Sequence, residues 1–325
     1  MNPHLISILA IAFLAALVFA AVRMARADSL HRQMRRFRRD RIGVIALGVV
    51  TVYLLIGLAG LITLPDGNNA ISKAFAHVPQ ERSYSAPWAS AGLDGKPLKG
   101  WHFFGTDALG KDVLKETLLG CSTALLIGGL TSLVYIPIGV LFGIAAGYFK
   151  GRADSIIQFV YSTVACIPQI LLLVSMLLVL GKGVPQMTLA LGLTGWVGLC
   201  RLLRGETMRQ SERPYIEAAR ALGQNHWKII VRHLLPNVMH LVIINFILGF
   251  SGIVLAESLL SYIGVGLPIG TASWGAMIDG ARMELSREPS VWWNITAATT
   301  ALFGLVLSLN LLGDALRRAF DPKAA

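Results

Sequence analysis

The sequence is short of charge, and of acid in particular. Only 14% of its 325 residues are charged, and Lys and Arg outnumber Asp and Glu by 29 to 18. With 54% apolar residues and a mean hydropathy of +0.62, a chain of this size would expose large apolar areas in water. That excludes an ordinary soluble fold and points to a polytopic, all-α membrane protein. Cysteine is equally scarce. Cys121, Cys166 and Cys200 lie far apart inside apolar runs, a spacing that supplies neither a disulfide framework nor a metal-ligand set. They read as small packing residues.

Several chemical signatures are also missing. No GxxxxGK[ST] loop occurs, so the chain is not expected to hydrolyse ATP. No HExxH, paired histidine ligands or acid dyad occurs within the apolar runs, which removes metal and aspartyl intramembrane proteases. Gly249-Phe250-Ser251-Gly252 matches a GxSG serine-nucleophile pattern, yet no histidine follows His240 to activate the serine. Small residues at that point suit helix contact instead. A secondary transporter would show an internal repeat and intramembrane charges for coupling ions, and neither is evident.

Seven apolar runs are long enough for a bilayer core of about 30 Å. They cover 4–22, 42–64, 119–147, 155–180, 185–203, 237–263 and 291–314. The first has no basic residue before it and eight Arg after it between 23 and 41, so it reads as a retained span and not as a secretory leader. Alternation then places 148–154, 204–236 and 315–325 on the same side as 23–41. With Arg201 at the edge of 204–236, these four stretches hold 20 of the 29 Lys and Arg. The bias makes that side cytoplasmic, with the N-terminus outside and the C-terminus inside. It also assigns the net charge of +11 to topology and lipid headgroups, so no nucleic-acid partner is expected. The expected organisation is an extra span with a basic segment (1–41), a first core span (42–64), an outer loop (65–118), and a remaining core (119–325). In the outer loop, Trp88, Trp101, Phe103 and Phe104 suit the membrane interface.

Inside the core, Gly139, Gly143 and Gly147 share one helix face and permit close approach of another helix. Pro137, Pro168 and Pro185 can each break or kink a span. Pro168-Gln169 is therefore either a pathway position or a structural kink.

The exception to the greasy pattern is a polar island from Arg213 to Pro236, RPYIEAARALGQNHWKIIVRHLLP. Pro214 suits a first helical turn, and Tyr215, Ala218, Ala219 and Leu222 follow at helical spacing. Gly223 stops that helix, and Asn225 caps a second whose Trp227, Ile230, Val231 and Leu234 repeat the pattern. Pro236 is expected to end it. Two short amphipathic helices need something to pack against, either the chain's own helix ends or a partner.

Glu217-Ala218-Ala219, Gly223 and His233-Leu234-Leu235-Pro236, at this spacing, resemble the EAA loop of permease subunits of ABC importers. The general pattern has isoleucine where His233 stands, and histidine there is similar to the peptide and nickel branch. Three further stretches carry the same resemblance. Gly105-Thr106-Asp107 to Gly110-Lys111-Asp112 is similar to GTDxxGRD, with Lys111 for arginine. Ala256 to Gly266 with Ser273-Trp274-Gly275 is similar to LAEASLSFLGLG…SWG. Gly313-Asp314-Ala315-Leu316-Arg317-Arg318 is similar to GDxLRD, with Arg318 where an acid is usual.

The resemblance implies a six-helix permease core plus one extra N-terminal transmembrane helix, in a bacterial inner membrane. It implies a second homologous permease, two ATP-binding subunits and an extracytoplasmic substrate-binding protein as partners. No cofactor is expected on this chain, ATP and Mg belonging to the partner subunits. Glu217, Ala218, Ala219, Gly223, Leu235 and Pro236 are the ATPase-coupling residues it implies. Peptides are the expected cargo over nickel, since no His or Cys cluster lines the spans. Glu257, an ionisable group late in the sixth run, is expected where water reaches it, as a gate or binding-protein contact or as a structural hydrogen bond.

Overall fold

The computed structural model describes residues 28–62, 68–268 and 270–320, with side chains from 34 onward. The expected extra span at 4–22 lies outside the described residues. Eleven helices follow in order: α1 (Asp28–Arg39), α2 (Arg41–Leu61), α3 (Ala70–Ala74), α4 (Val113–Phe149), α5 (Gly151–Cys166), α6 (Gln169–Leu180), α7 (Val184–Ser211), α8 (Pro214–Ala221), α9 (His226–Tyr262), α10 (Trp274–Ala281) and α11 (Trp293–Phe320). Among the described residues the only β pairing is two isolated bridges, so the chain is all-α.

Among the described residues five helices, α2, α4, α7, α9 and α11, are each long and apolar enough to cross a membrane. The run expected at 155–180 passes the same test only as a pair of helices, α5 and α6, bent by 86°, which makes up to six spans among the described residues. Pro168 causes the break. It lacks an N–H and drives the residue before it out of the helical region, and Ile167 is extended at φ −87°, ψ 128°. Pro185 only occupies the first turn of α7, and α4 passes through Pro137 uninterrupted. Helix α4 begins at Val113 because Asp112 caps it, its carboxylate accepting from Lys115 N at 2.8 Å. At 37 residues it is about 55 Å long and projects beyond a bilayer core.

Helices α4 and α7 form the tightest pair. A Cβ on Gly139 would lie 3.0 Å from the Leu199 side chain, one on Gly143 2.8 Å from Leu203 Cβ, and one on Gly147 2.6 Å from Thr207 Cβ. The three glycines form a seam that lets the two backbones meet. Around it, Phe250 and Val254 of α9 and Leu305, Leu309 and Leu312 of α11 close a core with α2 and α4. Cys121 is buried in this core and Cys200 in a second cluster at the α4–α7 seam, whereas Cys166 is exposed beside the α5–α6 break.

The far ends of α4 and α11 carry the segment 68–112, which folds against them. Trp293 Nε1 donates to Thr106 O at 3.0 Å, and Thr106 Oγ1 accepts from Ser85 N at 2.7 Å. Buried His102 has Nδ1 2.9 Å from Asp112 Oδ2 and Nε2 3.5 Å from Glu81 Oε1. Trp88 and Trp101 stay exposed, while Phe104 packs into the core.

On the same face, Tyr84 donates to Glu284 Oε1 at 3.0 Å. Burial pushes the Glu284 carboxyl above its ordinary value of 4.5, against the opposing effect of the Tyr84 hydrogen bond. The folded protein thus holds this proton more tightly than the unfolded chain does. Its contribution is complete below the ordinary value and is lost as pH rises through the raised one. Glu284→Gln keeps an acceptor for Tyr84 without the charge. Thermal unfolding in detergent at pH 5 and pH 8 is expected to show the variant gaining about 2–4 °C on the native protein at the higher pH only. Equal differences at both pH values would contradict this.

At the opposite end, Arg318 Nη2 lies 2.7 Å from Asp40 Oδ2 and joins α11 to the cap of α2. Its guanidinium holds the Asp40 carboxyl below the usual carboxylate range. The basic residue found where an acid was expected therefore has a partner.

Candidate functional site: the polar two-helix loop

Helix α8 starts on Pro214, with Glu217 in its first turn, where a carboxylate suits the helix dipole. Gly223 ends it at φ +68°, its N–H donating to Arg220 O at 2.9 Å while Gln224 N–H reaches Ala219 O at 3.1 Å. This glycine cap needs the left-handed conformation. Asn225 then caps α9 through a 3.1 Å bond from Trp227 N.

The apolar faces differ from the expected ones. Ile216 and Ala219 are buried in α8, whereas Tyr215, Ala218 and Leu222 are exposed; in α9, Ile229 and Leu234 are buried, whereas Trp227 and Val231 are exposed. Both loop helices are apolar on two sides, and helical spacing alone does not say which side turns inward. Ile216, Ala219, Ile229 and Leu234 meet Tyr148 at the end of α4. Tyr215 instead uses its hydroxyl on Gln210 and Asn237, each at 3.1 Å. The outward side presents Leu222, 80% exposed, and Trp227, 68% exposed.

Pro236 does not end the second helix. A π turn over Ile230–Leu234 carries α9 from the loop into the membrane, with Leu235 N–H donating to Ile230 O. Widening the helix just before Pro236 removes the clash its ring would make one turn back, and the proline needs no donor. Asn237 Nδ2 donates to His233 O at 2.7 Å at the same point. Leu235 is half-buried and Pro236 exposed. His233 Nε2 lies 3.2 Å from Gln224 Oε1, bracing the residue after the Gly223 turn. That histidine's role was not visible in the sequence.

Glu217 and Ala218 are exposed beside buried Ala219, and no side-chain partner of Glu217 occurs among the described residues. Pro168 and Gln169 are exposed at the α5–α6 break, at a distance from the loop along the chain. Glu257 is elsewhere again, and water does not reach it. It is 1% exposed, with Oε1 accepting from Ser261 Oγ at 2.8 Å and Oε2 from Ser258 Oγ at 3.3 Å. Ser273-Trp274-Gly275 closes this region: Ser273 caps α10, Trp274 Nε1 donates to Thr117 O at 2.9 Å, and Gly275 sits directly on the Ser258 backbone. The expectation of a water-accessible carboxylate is thereby corrected, because α10 folds back onto α9.

A multi-span helical bundle with a braced, glycine-capped loop that presents apolar side chains outward is a polytopic membrane protein with an exposed two-helix loop. Residues 139–325 match the family model described as binding-protein-dependent transport system inner membrane component. A dipeptide transport system permease of Bacillus subtilis is 35% identical over 223 residues, 68% of this chain and 69% of that protein. A dipeptide permease of Lactococcus lactis subsp. cremoris is 28% identical over 310 residues, 90% of both chains. A glutathione transport system permease of Pectobacterium atrosepticum is 34% identical over 222 residues, 68% of this chain and 73% of that protein. The chain belongs to this family of ABC importer permeases and is a multi-pass inner-membrane transport subunit.

Proposed function

We propose that the chain is one of two permease subunits of an ATP-driven importer for di- or oligopeptides. The observation that carries the reading is the outward pair Leu222 and Trp227 on a loop whose other side is fixed to the bundle. Large apolar side chains so exposed mark a docking surface. Two ATP-binding subunits, holding ATP and Mg, are its partners, with Glu217, Ala218, Ala219 and Gly223 at the contact and Leu235 and Pro236 leading into the membrane. The loop side is cytoplasmic, as the positive charge favours, with the N-terminus outside and the C-terminus within. An extracytoplasmic binding protein delivers the cargo at the opposite face, and a second permease completes the pathway. Pro168 and Gln169, exposed at the break, are pathway positions in this account.

Closure of the ATPase pair moves the loop and turns the pathway from inward-facing to outward-facing. Peptide cargo is supported by the relatives, whose names carry dipeptide and glutathione, and nickel is not favoured. Uptake of labelled peptides by cells lacking the chain, with and without a plasmid copy, tests the reading. Peptide uptake restored by the plasmid, with nickel accumulation unchanged, is expected. Restored nickel accumulation with unchanged peptide uptake would overturn it.

A further inference from the structure

We infer that Tyr148 is the positioning residue through which movement of the polar loop reaches the bundle: among the described residues it holds both loop helices by directed contacts at the end of α4. The inference rests on the coupling role proposed for the loop.

Tyr148 is 5% exposed and stands next to last in α4. Its hydroxyl lies 2.8 Å from Nδ1 of His226, the first residue of α9. The guanidinium of Arg220, at the end of α8, sits 4.9 Å from the centre of its ring. The neighbours Ile216, Ala219, Ile229 and Leu234 make apolar contacts, which are non-directional and tolerate sliding. A hydrogen bond and a cation over a ring are directional and transmit a pull as well as a push. They reach α8 on one side of the Gly223 hinge and α9 on the other, so a displacement of either helix acts on one residue of α4.

Helix α4 passes the displacement on. The glycine seam packs it against α7 with no room for either backbone to shift alone, so a push on one is a push on both. Two residues beyond Tyr148 the chain turns at Lys150 and enters α5, which is tied back to α7 by Arg204 Nη2 on Asp154 Oδ2 at 2.7 Å. The α4–α7 pair therefore carries α5 with it, and α5 leads to the break at Pro168. Tyrosine is suited to the joint because one side chain offers a ring face to the cation and a hydroxyl to the imidazole.

The test uses the complete importer, purified with its partner subunits and reconstituted in vesicles, measuring ATP hydrolysis and peptide uptake together. Tyr148→Phe keeps the ring and removes the hydroxyl. It is expected to leave ATP hydrolysis within about twofold and to lower uptake per ATP about five- to tenfold, the effect of one lost hydrogen bond. His226→Ala removes the same hydrogen bond together with ring contacts to Tyr148 and Phe149, so its loss should be at least as large, and the double variant should be no worse than His226→Ala alone. His226→Asn places an amide oxygen near the Nδ1 position and should recover at least half of the lost coupling. A merely structural role would not show that rescue.

Unchanged uptake per ATP in both single variants would overturn the inference, as would equal loss in His226→Ala and His226→Asn. Should Tyr148→Phe fail to accumulate, the His226 pair decides, since that side chain is exposed. Failure of the native chain to assemble with ATP-binding subunits would instead strike the proposed function itself.

Discussion

Replacing Gly223 by proline is expected to abolish peptide uptake, by at least about tenfold, while the chain stays in the membrane at its normal level. The native residue has φ +68° and donates its N–H to Arg220 O at 2.9 Å. Proline supplies neither, since its ring fixes φ near −65° and it has no donor. The turn between α8 and α9 must then be rebuilt, and Gln224, which caps Ala219 O and meets His233, moves with it. The cost, about 3 kcal/mol, falls on the loop, because a Cβ at 223 would meet nothing within 4 Å and no clash with the bundle adds to it. Membrane fractionation and uptake assays on the same cells separate the two effects. Gly223→Ala, which meets only the backbone penalty of about 1–2 kcal/mol, should fall between the two. Normal uptake in the proline variant would sink the coupling assignment.

Gly143→Leu is expected to act on folding itself. A Cβ at 143 would lie 2.8 Å from Leu203 Cβ, 2.9 Å from Cys200 O and 3.3 Å from Cys200 Cα, and two of these are backbone atoms with no rotamer to adopt. The α4 and α7 backbones must part along the seam, which loosens Gly139 and Gly147 as well. Overpacking of about 1–3 kcal/mol, together with the looser packing at those two glycines, should lower the unfolding temperature in detergent by at least about 5 °C and reduce the folded yield. Gly198→Leu, on α7 but facing open space, is the control and should leave the isolated chain unaffected. Equal behaviour of the two variants would contradict a seam-dependent bundle.

Much of this arrangement was legible because it rests on local rules. Pro168 announces a break, Gly223 a cap, and the spacing of Gly139, Gly143 and Gly147 a close helix pair. What escaped depends on contacts between distant residues. Helical spacing in the loop offered two apolar sides, and it is packing against Tyr148 at the distant end of α4 that turns Ile216 and Ile229 inward while Leu222 and Trp227 face out. Pro236 looked like a helix end because a π turn has no sequence mark of its own. Glu257 appeared to lie near water because hydropathy gives depth along a span but not what folds over it, and Trp274-Gly275 does. The start of α4 was placed late because its first turns carry Lys115 and Glu116, which end an apolar run but not a helix capped by Asp112. The expected span at 4–22 lies outside the described residues.

The most direct test of the central claim is mass spectrometry of the proteins that co-purify, in mild detergent, with a tagged copy of this chain at native expression. The account predicts a second homologous permease and one or two proteins carrying GxxxxGK[ST], lost when Leu222 and Trp227 are both replaced by aspartate. Repeated recovery of the chain alone in a stable form would contradict it and would make the loop an amphipathic surface with no ATPase to serve.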